Sequence, residues 1–170
     1  MATKQNFTPE EWTKVLESIM LAGMCVSAAD PSGLWGTVKE ALASKSALAA
    51  SKRDADSNEL INAVIADLET KEGRSAIQNA LRKHVAGAQP ADIVHRSLDN
   101  LRQVSAILDT KAPHDAVAFK ALLRGISQKV AEASTEGGFL GLGGVRVSDA
   151  EKATLADIAN ALGTTDKPTV

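Results

Sequence analysis

Three groups of residues could do chemistry, and the first is Gly137-Gly138-Phe139-Leu140-Gly141-Leu142-Gly143-Gly144-Val145-Arg146-Val147. Glycine admits backbone conformations closed to other residues, so glycine-rich loops can bring amide groups against a phosphate. Phosphate loops, however, follow a strand and are spaced G-x-x-x-x-G-K-[ST] or G-x-G-x-x-G. This segment follows a helical pattern and has neither spacing. What sets it apart is the apolar set Phe139, Leu140, Leu142 and Val145 between glycines. Two readings stand. The loop tucks these side chains under the helices, with the glycines making tight turns, or they form a lid or docking surface, because exposed apolar patches mark interfaces. On the second reading Gly138, Phe139, Leu140, Leu142, Gly143 and Val145 bind a ligand or partner together with Trp35.

The second group is Asp92 and His95, a carboxylate and an imidazole at i and i+3 on one helical face. Ferritin-like di-iron bundles present metal ligands in this way, using two Glu-x-x-His pairs and two further glutamates. Here there is one pair, built on Asp, and neither His84 nor His114 has a carboxylate three residues before it. A solvated surface pair is expected, with Asp92 and His95 kept as the metal candidates; no catalytic residue and no cofactor is predicted.

The third is Cys25. Its neighbours Met24 and Val26 predict burial, which disfavours the thiolate that nucleophilic chemistry needs. A single cysteine excludes an intrachain disulfide and any C-x-x-C redox or zinc pair. Cys25 therefore reads as a small core residue in a reducing compartment, with cytoplasmic location the simplest expectation.

The elements that would position these groups are helices. Thr8-Pro9-Glu10-Glu11 combines a capping hydroxyl, proline at the first helical position and a glutamate three residues after the cap. Trp12, Val15, Leu16, Ile19, Gly23 and Val26 follow at spacings of three and four, and residues 19–26 are apolar on all sides, which predicts a helix through the middle of a bundle. Asp30-Pro31 starts a second helix with Leu34, Trp35, Val38 and Leu42, and residues 44–56 read as a connection. Ser57 is expected to cap a third helix carrying Leu60, Ile61, Val64, Ile65 and Leu68. A fourth begins near Lys71, carries Ile77, Leu81 and Val85, and stops at Gly87. Pro90 opens a fifth, ended by Lys111-Ala112-Pro113, and Pro113 opens a sixth that runs to about Glu136. Ser148-Asp149-Ala150-Glu151 is a second capping box, launching a last helix through Leu155, Ile158 and Leu162 to Gly163.

Six or seven helices in 170 residues predict one all-α domain over 1–170, a single-domain bundle with the apolar glycine loop before its last helix and with 1–7 and 164–170 frayed. Hydrophobic content of 44% with 24% charge is that of a folded chain. The 19 basic and 21 acidic residues are scattered, so neither nucleic acid nor an anionic membrane is an expected partner. The longest strongly apolar run, about eight residues, falls short of the roughly 20 that span a bilayer.

Two resemblances concern the C-terminus. Residues Thr154 to Thr165 resemble the first helix and turn of a helix-turn-helix repressor, but Lys167-Pro168 interrupts the chain beyond that turn and no recognition helix remains. Val147-Ser148, Glu151 and the Leu-x-x-Ile-x-x-x-Leu-Gly helix resemble segments of the tellurite-resistance TerB-like proteins, a bacterial all-helical family of similar length. That resemblance covers about a quarter of the chain. It implies an all-helical fold and, through an acidic Ala-Asp-Gly turn, metal binding. The corresponding turn here, Ala29-Asp30-Pro31-Ser32-Gly33, breaks that pattern, so no metal site is carried over. Pro31-Ser32-Gly33-Leu34, Lys39-Glu40 and residues 137–148 likewise read as those of a bacterial helical protein. The functional expectation is a non-enzymatic helical binding protein that uses the 137–147 loop for a ligand, a protein partner or a second copy of itself. The alternative is a metal-binding bundle, TerB-like or ferritin-like, with or without enzymatic activity.

Overall fold

A computed structural model of the chain describes residues 2–29, 58–136 and 147–164. Six α-helices lie within these residues: α1 (Pro9–Ala29), α2 (Glu59–Glu69), α3 (Lys71–Val85), α4 (Pro90–Lys111), α5 (Pro113–Glu136) and α6 (Asp149–Ala161). No strand is present among them, and the fold is an all-α bundle. The expected helix from Pro31, the connection at 44–56, nearly all of the glycine-rich loop and most of the C-terminal tail lie outside the described residues.

Side-chain chemistry sets the helix starts. Thr8 and Glu11 form the capping box that their spacing predicts: the Thr8 amide donates to Glu11 Oε2 at 2.7 Å and the Glu11 amide donates to Thr8 Oγ1 at 3.2 Å. Ser148 and Glu151 repeat it at 2.8 and 3.2 Å. At α2 the cap is Asn58, not Ser57: Asn58 Oδ1 accepts from the Ile61 amide at 3.0 Å. Both residue types cap well, and the choice falls to the one whose oxygen reaches the third helical amide. Gly163, at φ 64°, ends α6, with its amide donating to the Asn160 carbonyl and that of Thr164 to the Ala159 carbonyl. This is the paired closure that a left-handed glycine permits.

The core forms around α1, which buries Trp12, Val15, Leu16, Ile19, Ala22, Cys25 and Val26. Its most extensive interface is with α4. A ladder of contacts shows that the two run antiparallel: Lys111 to Glu11 at 2.6 Å, Lys14 to Gln103 at 2.7 Å, Asn100 to Glu17 at 3.2 Å, and the Cys25 thiol to the Val94 carbonyl at 3.8 Å. Helix α5 runs parallel to α1, and Ser127 Oγ reaches the Ala22 carbonyl at 3.0 Å. The last turn of α6 sits between α4 and α5, where Ser105 Oγ donates to the Leu162 carbonyl at 3.1 Å. Aliphatic side chains fill the interior, with Phe119 the largest of those fully enclosed. No helix among the described residues is long and apolar enough to cross a membrane.

Residues 2–7, expected to fray, are instead docked. Ala2 and Phe7 are buried, the Ala2 amide donates to Asp115 at 2.7 Å, and residues Lys4–Asn6 form a 3-10 turn. Lys4 meets Asp67, which also accepts from Trp12 Nε1 at 2.6 Å. Burial works against the charge on Asp67, but the bonds from Trp12 and Lys4 outweigh it and hold the carboxyl below its usual range. No local pattern announces these partners, because they lie more than fifty residues away.

The joint between α2 and α3 is closed by Thr70, whose Oγ1 accepts from the Gly73 amide at 2.9 Å. A Cβ on Gly73 would collide with the Asp67 carbonyl, whereas one on Gly125 would meet no atom of the described residues within 4 Å. Gly73→Ala should therefore cost roughly 1–3 kcal/mol through overpacking against backbone. Gly125→Ala should be neutral or gain up to about 1 kcal/mol from helix propensity. Urea unfolding followed by circular dichroism distinguishes the two, and equal effects would contradict the geometry.

Candidate functional site

The residues singled out by the sequence divide into those the structure places and those outside it. Trp35, Gly138, Phe139, Leu140, Leu142, Gly143 and Val145 lie outside the described residues, as do Asp30 to Gly33 of the broken acidic turn. Their chain neighbours are placed. The contact of Cys25 with Val94 puts the end of α1 beside the start of α4. Because α5 runs parallel to α1, it ends on the same side. Helix α6 starts there too: its end reaches back to Ser105 and Arg124, while its Asp157 bears electrostatically on Cys25. The chain thus leaves α1 at Ala29, leaves α5 at Glu136 and resumes at Val147, all at one end of the bundle. Val147 is partly buried and packs against the core.

Asp92 and His95 do not work as a pair. Asp92 Oδ2 accepts from the Gln89 amide at 3.0 Å, so it caps the start of α4. His95 Nδ1 lies 3.2 Å from Asp99 Oδ2, one turn further along, with its side chain 77% exposed. Each contact is a product of helix geometry: the N3 carboxylate turns back to the cap, and the imidazole finds its i+4 neighbour. Among the described residues, no group of three or more His, Cys, Asp or Glu side chains is arranged to hold a metal ion.

Cys25 is fully buried between α1 and α4. Burial first, and then the Asp157 carboxylate, push its thiol up to about 12. The thiolate is therefore negligible near neutrality.

One polar cluster escaped the sequence reading. Where α3 crosses the α1–α4 seam, Ser97 Oγ lies 3.4 Å from His84 Nε2, and Arg96 Nη1 donates to the His84 carbonyl at 2.9 Å. One turn along α4, Asn100 Nδ2 donates to Glu17 Oε2, while the buried Asn100 Oδ1 has no hydrogen-bond partner among the described residues. Burial raises the Glu17 carboxyl above its ordinary range, against the pull of Lys14 and Lys83. Burial lowers the His84 imidazole, and Arg96 adds to it. The available signal was Ser97 and Asn100 interrupting the apolar stripe of Val94, Leu98, Leu101 and Val104, a pattern that marks polar groups facing a neighbouring helix. Its partners come from α1 and α3 and could not be named without the fold.

Comparison with protein-family models, with curated proteins and with solved structures finds no match for this chain.

The native thiol should resist iodoacetamide at pH 8 for hours and react stoichiometrically in 6 M guanidinium, as read by intact mass. Rapid labelling of the folded protein would show that Cys25 is accessible after all.

Proposed function

We propose that this chain is a non-enzymatic helical binding protein of the bacterial cytoplasm, which engages a protein partner or a second copy of itself through Trp35 and the segment Gly138 to Val145. The observation that supports this reading is the convergence of chain ends. Ala29, Glu136 and Val147 border the two segments and lie at one end of the bundle. The two stretches, distant in sequence and both carrying large apolar side chains, are the ones that continue the chain from these neighbouring ends.

The surface elsewhere favours the same reading. Val117, at 79%, is the only large hydrophobic residue exposed among the described residues, which leaves little apolar surface for docking on the helices themselves. The buried, unreactive Cys25 and the separately engaged Asp92 and His95 give catalysis or metal binding no support. Scattered charge likewise supports a protein partner over nucleic acid.

Phe139→Ala and Leu140→Asp should weaken self-association or partner capture at least several-fold, measured by sedimentation velocity and pull-down, with helical circular dichroism unchanged. If these variants lose their helical signal, the segment is core and the reading fails. If they associate as the parent does, it fails as well.

A further inference from the structure

We propose that the outward face of α3, from Lys71 to Arg82 and widened by Arg74, Lys83 and Arg96, is a docking surface for an acidic segment of a protein partner. Charges are scattered along the sequence, but the fold gathers cations here. Lys71, Ser75, Gln78 and Arg82 recur at intervals of four, three and four, which sets them along one line of the helix on the side away from the buried Gly73 and Ile77. Arg74 flanks that line on one side and Lys83 on the other, and all of these side chains are exposed. Arg96 of α4 joins them at the last turn, where its Nη1 donates to the His84 carbonyl at 2.9 Å. The half-buried Glu17 carboxylate feels both Lys14 and Lys83, so α1 brings a further cation to the same end of the face.

Two features separate this face from an ordinary solvated one. Elsewhere cations meet carboxylates: Lys4 with Asp67, Arg102 with Asp99, Lys111 with Glu11, Lys120 with Asp109 and Lys152 with Asp149. None of Lys14, Lys71, Arg74, Arg82, Lys83 and Arg96 has a carboxylate of the described residues within 4 Å. The one carboxylate of α3, Glu72, has Ser75 and Ala76 three and four residues on, so the helix sets no cation a turn beyond it. The second feature is how the guanidinium groups are held. Arg74 and Arg96 donate to backbone carbonyls, those of Glu69 and His84, which fixes their position and leaves their charge uncompensated. Cations ordered in advance cost less to engage.

The class of partner follows from charge and spacing. Lys71 and Arg82 lie roughly 16 Å apart along the axis, a span that one face of a partner helix covers when its carboxylates recur at the same intervals. Ser75, Gln78 and Asn79 supply uncharged hydrogen-bonding groups between the cations. Nucleic acid fits this surface less well. The net charge of −2 opposes a long polyanion, and Phe7, Trp12 and Phe119, the aromatic residues among those described, are buried and offer no ring on which a base could stack. The surface stands apart from Trp35 and the segment Gly138 to Val145 and does not depend on the role assigned to them.

The test is an amide NMR titration of the full chain with a fourteen-residue peptide that carries glutamate at positions 1, 5, 8 and 12 in an alanine and glutamine background. At about 20 mM salt the shifts should saturate and be confined to residues 71–83 and Arg96, and at about 200 mM the affinity should fall at least fivefold as screening takes hold. Lys71→Gln combined with Arg82→Gln should weaken binding at least fivefold, with the rest of the spectrum unchanged. Lys129→Gln, at an exposed cation of α5 outside the face, should leave it as it was. The same peptide with glutamine in place of each glutamate should not bind. Absence of shifts on α3, or equal weakening by Lys129→Gln, would overturn the proposal. So would a twelve-nucleotide oligothymidylate that binds the same residues more tightly than the peptide, because it would show a nucleic-acid surface instead.

Discussion

A helix that is apolar around its circumference has no face to give to water, and α1 imposes that condition on the rest of the chain. Residues 19–26 contain no charged side chain, so neighbours must enclose them from several directions. Helix α4 covers one side antiparallel, α5 covers another in parallel, and α2, α3 and α6 close parts of the remainder. Burial of large aliphatic side chains, each worth about 1.5–3 kcal/mol, supplies the drive for this arrangement. Direction comes from elsewhere. Aliphatic contacts tolerate sliding, whereas the polar pairs along α1 and α4 each fit one register.

Polar groups in the interior are answered almost one for one. Ser18 and Ser27 return to carbonyls of their own helix, Ser127 divides its contact between its own helix and α1, and Ser105 closes the end of α6. Lys120, nearly buried, extends its ammonium to both oxygens of Asp109 at 2.7 Å. Against this background Asn100 Oδ1, without a partner among the described residues, stands apart, because a buried acceptor left alone costs on the order of 1–3 kcal/mol. It sits on α4 beside Glu17 of α1.

How much of this could be read from the residues differs by kind of information. Helix ends marked by local chemistry, such as Thr8 with Glu11, Pro90, Pro113, Ser148 with Glu151 and Gly163, are legible because the cap and its partner lie within one turn. The central place of α1 is legible because an uninterrupted apolar stretch allows no other. Where two capping residues stand side by side, as Ser57 and Asn58 do, sequence does not decide between them. Contacts between elements are silent in the sequence, whether across most of the chain, as Ala2 with Asp115 and Trp12 with Asp67, or across one short turn, as His84 with Ser97. Asp92 and His95 show the converse, since a spacing suggestive of ligands is explained by a cap and an i,i+4 contact.

The four rungs between α1 and α4 fall at positions 11, 14, 17 and 25 of the first helix and at 111, 103, 100 and 94 of the second. A displacement of one turn along the axis would part all four together. The pair is thereby a strut: 21 residues at about 1.5 Å each give it a length near 31 Å that does not telescope. A load applied at the Ala29 end of α1 would reach Glu11 and Lys111 as tilt or rotation of the pair and not as a change in its length.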